Sequence, residues 1–207
     1  GITFDSDGDL FVADHMNNRI QKFTKDGDFI LSFGDKGQDT LKMPWGVFVT
    51  SDGFVYVADW GNDRIAKYDS SGEFIRSFGS RGSGNGQFRN PSGVAVDEDG
   101  YIYVTDWGNE RLEILDKNGN FIQSLRGQAT ISKWADEYFD GNYEEAEPRS
   151  RSNLEPSPVQ FGGDPHEESA HIEKLFWGPT SVKLDDEGRV YVTESNRHRV
   201  QIYEKAE

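Results

Sequence analysis

Two phrases in this chain crowd together side chains that do chemistry: VYVADWGNDRI at 55–65 and IYVTDWGNERL at 102–112. Each sets an acid, an indole, an amide and a guanidinium within six residues: Asp59, Trp60, Asn62 and Arg64, then Asp106, Trp107, Asn109 and Arg111. A carboxylate beside a guanidinium can hold a buried charge or orient a bound polar group. Two looser copies exist. FVADHMNNRI carries Asp14, His15, Asn17 and Arg19, and YVTESNRHRV carries Glu194, Ser195, His198 and Arg199. Residues reused in every copy cannot form one asymmetric active centre. The Asp, Asn and Arg positions, Arg199 included, are therefore expected to be scaffold: Asp and Asn close a turn on backbone N–H groups, and the Arg pairs with an Asp. The positions that vary are the candidate binding residues: His15, Trp60, Trp107, Ser195 and His198. Trp60 and Trp107 stand where a small residue would serve a turn, and neighbouring exposed indoles make a stacking or cation-binding platform.

Other sites of chemistry are excluded one by one. With no cysteine there is neither a disulfide nor a thiolate ligand nor a thiol nucleophile. HEESAH at 166–171 separates its histidines by five residues, so it is not the HExxH zinc pattern. A metal shared by His15 and His198 would require the first and last repeats to meet. DSDGD at 5–9 and DEDG at 97–100 have glycine too early for a calcium loop and are hairpin turns. GSRGSGNGQF at 79–88 leads into a strand and lacks the Lys-Ser/Thr pair of a phosphate loop. No Ser-His-Asp set sits at a recognisable turn. No catalytic residue, metal or cofactor is expected.

The elements that must position these residues follow from the repeat. Asp14, Asp59 and Asp106 are 45 and 47 residues apart. Around them the same order recurs: a Pro-x-Gly-Val start (Pro44, Pro91; Pro179-Thr-Ser-Val in the last copy), an apolar stretch, an Asp-Gly or Glu-Gly turn, the motif strand, a second turn, then a phrase such as FIRSFG. Alternating β-branched and aromatic residues between polar turns predict four short antiparallel strands per unit. Units of this length with four strands predict an all-β fold, a β-propeller of four-stranded blades. The pattern P-x-G-V-x-V-D-x-x-G-x-[IV]-Y-V-x-D-x-x-N-x-R-[IVL], followed by F-[IL]-x-S-[FL]-x-G, resembles the NHL repeat. It covers 1–34, 44–79, 91–127 and 179–205, the last copy lacking its fourth strand. The resemblance implies a propeller, usually six-bladed, in one domain or propeller fragment over 1–207. Families of this fold host binding modules and a minority of enzymes, so the resemblance implies no single function.

Between the third and fourth copies lies a stretch without repeat, 128–178. It lacks the Pro-x-Gly-Val start and strand alternation, so it is an insertion and not a degenerate blade. TISKWADEYFD predicts a helix from Ile131, Trp134, Ala135 and Tyr138. DPHEESAHIEKLF predicts a second, with Asp164 as cap, Pro165 at its first position, Glu167 completing a capping box, and Ile172, Leu175 and Phe176 as its apolar side. The Pro- and Ser-rich stretch between them predicts a poorly ordered loop. The insertion carries 11 acidic and 4 basic residues, a net −7 out of −15 for the chain.

Strand direction alternates, so the loops between second and third strands share one rim with the connections between blades. His15, Trp60, Trp107, Ser195 and the insertion are all expected there. A scaffold that binds a protein or small-molecule ligand on this rim is the leading reading. Two others follow from the resemblance: a metal-dependent lyase or lactonase-like hydrolase at the channel mouth, and RNA binding. The charge of −15 argues against nucleic acid and anionic membranes as partners, and no apolar run is long enough to span a bilayer. The opening GITFDSDGDL already lies inside a repeat, which predicts a cut N-terminus, with missing blades supplied by a longer parent chain or by a second copy. No compartment is indicated.

Overall fold

The structure, a computed structural model, describes residues 1–37, 39–129, 131, 133–153 and 162–204. Four antiparallel sheets follow one another, each a meander in chain order. The first holds β1 (Ile2–Phe4), β2 (Leu10–Asp14), β3 (Arg19–Phe23) and β4 (Phe29–Phe33). The second holds β5 (Pro44–Val49), β6 (Val55–Asp59), β7 (Arg64–Tyr68) and β8 (Phe74–Phe78). The third holds β9 (Pro91–Val96), β10 (Ile102–Asp106), β11 (Arg111–Leu115) and β12 (Phe121–Leu125). The fourth has three strands among the described residues: β13 (Pro179–Leu184), β14 (Val190–Glu194) and β15 (Arg199–Tyr203). This is the propeller arrangement the repeat predicts, short last blade included.

The blades stack through their alternating apolar faces. Phe11, Ile20 and Phe33 of blade one pack on Val47, Val55, Val57 and Ala66 of blade two. The next seam joins Ala58, Ile65 and Phe78 to Val94, Ile102 and Val104, and a third joins Tyr103 and Leu112 to Val182, Val190 and Val192. Each such side chain, fully buried, contributes about 1.5–3 kcal/mol. At the axis the first strands of successive blades lie side by side. A Cβ on Gly46 would stand 2.8 Å from the Ser92 carbonyl oxygen and Gly93 Cα, so glycine permits that approach.

Two apolar faces stay uncovered. On blade one Ile2, Phe4 and Phe29 are 61%, 61% and 58% exposed, although they hold the register of Val47, Val49 and Phe74. On blade four Val200 and Ile202 are exposed. Cavities of about 540 and 590 Å³ flank β15, where the other blades have a fourth strand.

Among its described residues the 128–178 stretch forms three helices: α1 (Lys133–Gly141), α2 (Tyr143–Arg151) and α3 (Pro165–His171). The first and third lie where periodicity predicts them, although Thr130 and Ser132 fall outside the described residues. α2 corrects the loop expectation. Glu144 and Glu145 in its first turn and Arg149 and Arg151 in its last suit the helix dipole, and they hold it despite Pro148. The rest of that expected loop, 154–161, lies outside the described residues. α3 is shorter than predicted: Asp164 caps the His166 N–H, and the chain leaves the helix before Ile172. Glu168 turns to Arg126. Ile172, Leu175 and Phe176 are buried beyond the helix end, Phe176 in the seam between blades three and four. No helix among the described residues is long and apolar enough to cross a membrane.

Candidate functional site

Each motif strand ends on an acid, which the chain then surrounds with donors. Asp106 is fully buried, and its Oδ2 accepts from Asn109 Nδ2 at 2.6 Å and Arg111 Nε at 2.9 Å. Its Oδ1 accepts the Arg89 backbone N–H at 2.7 Å. Asp59 does the same with Asn62, Arg64 and the Lys42 N–H. Glu194 does it with Arg199 and the Trp177 N–H. The amide and guanidinium then reach the incoming connection. Arg111 donates to the Ser83, Gly84 and Gln87 carbonyls, Arg64 to Asp39 and Thr40, and Arg199 to Glu173 and Leu175. The acid thus clasps the connection into its own blade and not the N–H groups of its own turn, a difference from the sequence expectation. In blade one Asp14 gathers Asn17, Arg19 and Gln21.

A second recurrent bond joins neighbouring blades. After the single-turn 3₁₀ segments of blades one to three, and in the matching turn of blade four, one residue adopts the left-handed conformation: Asn18, Asp63, Glu110 and His198, with φ of 55°, 54°, 53° and 51°. The side chains of the first three accept the N–H of the residue before the next blade's proline. Asn18 takes Met43 at 2.8 Å, Asp63 takes Asn90 at 2.8 Å, and Glu110 takes Gly178 at 2.6 Å. His198 occupies this position in blade four, exposed, with no hydrogen bond or ring contact among the described residues. It is a turn residue of the last blade, apart from the other candidates.

His15, Trp60 and Trp107 do come together, through residues the sequence did not mark. The His15 ring meets Trp45 edge-on at 5.2 Å between centroids. Trp45 stacks on Trp60 at 5.0 Å, and Trp60 meets Trp107 at 5.2 Å. Trp107 meets His166 of α3 at 6.2 Å, and His166 meets Trp177 at 5.9 Å. Arg197 then lies over Trp177 at 5.5 Å. Six rings from blades one to three and the insertion make one continuous row on the rim. Trp45 is 40% exposed. Trp60, Trp107 and Trp177 are half-buried. Ser195 lies outside the row, its hydroxyl donating to the Gly178 carbonyl. Trp45 takes the strand position held by Ser92 and Thr180 in the next two blades, and Trp177 and His166 lie outside the motif phrases. Repetition therefore points to none of the three.

The row's far end is fixed by hydrogen bonds. His166 Nδ1 lies 2.5 Å from Glu110 Oε1, and His166 Nε2 accepts the Trp177 indole N–H at 3.3 Å. Accepting at Nε2 places the proton on Nδ1, so His166 donates to Glu110. Burial raises the Glu110 carboxyl above its ordinary range, and the Gly178 N–H and His166 oppose that shift. Burial also pushes Asp106 up to about 6 and Glu113, whose carboxylate faces Arg111, to about 7. Beside the row, the stems of Lys42 and Arg89 cross Gly61 and Gly108. A Cβ on Gly108 would meet Arg89 Cγ at 2.5 Å, which explains the glycine after each tryptophan. Both cations are exposed and form no ion pair among the described residues. No group of three or more His, Asp or Glu that could hold a metal occurs among the described residues.

Solved structures share this architecture. A streptogramin B lyase is 16% identical, with 98% of this chain matched to 53% of that one at a TM-score of 0.55. A catalytically inactive histidine-to-alanine variant of virginiamycin B lyase from Staphylococcus aureus, solved with quinupristin, is 14% identical over 99% and 54%, at 0.55. A protein of unknown function from Bacteroides thetaiotaomicron is 20% identical over 98% and 46%, at 0.64. At these identities the fold alone is shared, and the chain spans about half the length of the structures it matches. No curated protein matches it in sequence. The NHL repeat pattern matches residues 1–23, 41–68, 88–115 and 176–203, one stretch in each blade. Four matches covering just over half of the chain, in register with four blades that clasp their connections alike, make this chain a member of the NHL-repeat family.

Proposed function

We propose that this propeller is a non-catalytic binding scaffold that presents its loop-rich rim to a protein or small-molecule ligand. The observation that carries it is the row His15, Trp45, Trp60, Trp107, His166 and Trp177, which keeps solvent contact although it runs across the seams between blades one, two and three. A purely structural plug would be expected to bury its indoles as fully as Phe88 or Phe176, which are 0% exposed. Loops held on rigid blades suit recognition. The test is localisation of binding. A ligand found by library screening should quench the row's fluorescence, lose affinity in Trp60→Ala and Trp107→Ala, and ignore Tyr101→Ala on the opposite rim. A ligand indifferent to both tryptophans would refute this reading.

One observation favours a lyase as second reading. The Glu110–His166 pair orients an imidazole at the row, and one structural neighbour was inactivated by loss of a histidine. Consumption of quinupristin by this chain, abolished in His166→Ala, would replace the scaffold reading.

A further inference from the structure

We propose that Glu113 is a protonation switch on the rim: protonated, it completes the clasp on the connection between blades two and three, and ionised, it releases the tip of that connection. Comparison of the four blades carries this. Glu113 pairs across the sheet with Val104, and the same register place, opposite Val12, Val57 and Val192, holds Gln21, Ala66 and Gln201. Both glutamines donate to the acid of their own motif, Gln21 to Asp14 at 3.0 Å and Gln201 to Glu194 at 2.8 Å. An ionised carboxylate only accepts, so Glu113 has that donor only when protonated.

The surroundings of Glu113 lack a donor for its charged form. Its Oε2 accepts the Gly86 N–H at 3.2 Å, but its Oε1 is buried without a hydrogen bond. Arg111 Nη2 lies 3.2 Å from Oε1, yet it donates instead to the Gly84 and Gln87 carbonyls at 3.0 and 2.6 Å. Satisfying an ionised Oε1 requires Arg111 to turn from those carbonyls or water to enter between them. Either change loosens residues 82–87, a stretch with three glycines. Phe88, 0% exposed, and the Arg89 N–H on Asp106 hold the foot of the connection, so opening is confined to its tip, beside the Trp107 loop.

The charges acting on Glu113 are Arg111 on its own strand, which favours ionisation, and Asp106 on β10, which opposes it. Burial outweighs both and holds the carboxyl at about 7. Its cross-strand neighbours Val104 and Ser124 carry no charge. On the connection, the Arg81 side chain is 85% exposed, 3.8 Å from Asp63, and Arg89 is exposed. A carboxyl raised in the clasped form stabilises that form fully below its ordinary range near pH 4, and the contribution is lost as pH rises to about 7.

The test is amide hydrogen exchange of the whole chain at pH 5 and pH 8, corrected for intrinsic rates. It is read at Gly82, Gly84, Gly86 and Gln87, whose N–H groups are all hydrogen-bonded. Wild type should lose protection there by about tenfold or more on going from pH 5 to 8. Glu113→Gln supplies the donor of Gln21 at every pH and should keep at pH 8 most of the protection that wild type has at pH 5. Protection of β9 to β12 reports that the variant is folded. Asp39 to Leu41 belong to the preceding connection, where Ala66 stands in place of Glu113, and should show no comparable loss. Equal losses in wild type and Glu113→Gln would overturn the proposal. So would wild-type protection of 82–87 that is the same at both pH values, or a matching loss at 39–41.

Discussion

Arg111 serves two buried carboxylates at once. It lies 2.9 Å from Asp106 and 3.2 Å from Glu113, and one guanidinium cannot fully offset the desolvation of both. Hence Asp106 is raised to about 6 and Glu113 to about 7. The unfolded chain releases these protons near pH 4, so between about pH 4 and 7 the folded state binds more protons than the unfolded. Stability from these two groups therefore falls as pH rises through that window. Wild type should gain stability on acidification from pH 8 to 5, and Glu113→Gln should lose Glu113's share of that gain, on the order of 1–2 kcal/mol, while Asp106 keeps its own. Denaturant titration at the two pH values checks it; an equal pH response in both proteins would contradict it. How far residues were legible divides along the same line. Asp59 and Asp106 announce themselves by recurrence, Trp60 and Trp107 by standing at a position that varies between copies. Trp45, Trp177 and His166 do not recur, and only the folded seams bring them to the row.

At the scale of elements, each connection is held by the loop it passes, and α3 is held by three separate ties. His166 binds Glu110, Glu168 binds Arg126, and Arg197 donates to the Ser169 and Ile172 carbonyls. His166→Ala removes the tie that also closes the row and leaves Glu110 buried with one lost donor. Amide exchange across 165–171 should accelerate while β9 to β12 keep their protection; unchanged exchange in α3 would show that the other two ties suffice. The blades were legible because strand alternation and turn chemistry agree along the chain. α2 was not, because Pro148 and its Ser-rich surroundings are poor helix signals and its charge arrangement acts through the dipole.

For the whole molecule, the two bare faces matter most. Ile2, Phe4 and Phe29 form the surface that in blade two is buried against blade one, and Val200 and Ile202 form its counterpart. Exposed apolar faces of this kind favour association. We propose that further blades, from a longer parent chain or a second copy, cover them. Alone, this chain should self-associate, and Ile2→Ser with Phe4→Ser should shift sedimentation toward the monomer. A monomeric wild type would contradict that.

The central claim separates the motif's clasp from its rim, and it is tested most directly by comparing Asp106→Ala with Trp107→Ala in thermal melting and in ligand titration. Removing Asp106 leaves the Arg89 N–H, Asn109 Nδ2 and Arg111 Nε without their shared acceptor and should cost about 3–5 kcal/mol of stability. Removing Trp107 should leave the melting transition far closer to wild type while ligand affinity falls. If Trp107→Ala instead destabilises the fold as much as Asp106→Ala and leaves affinity intact, the row is scaffold and the account fails.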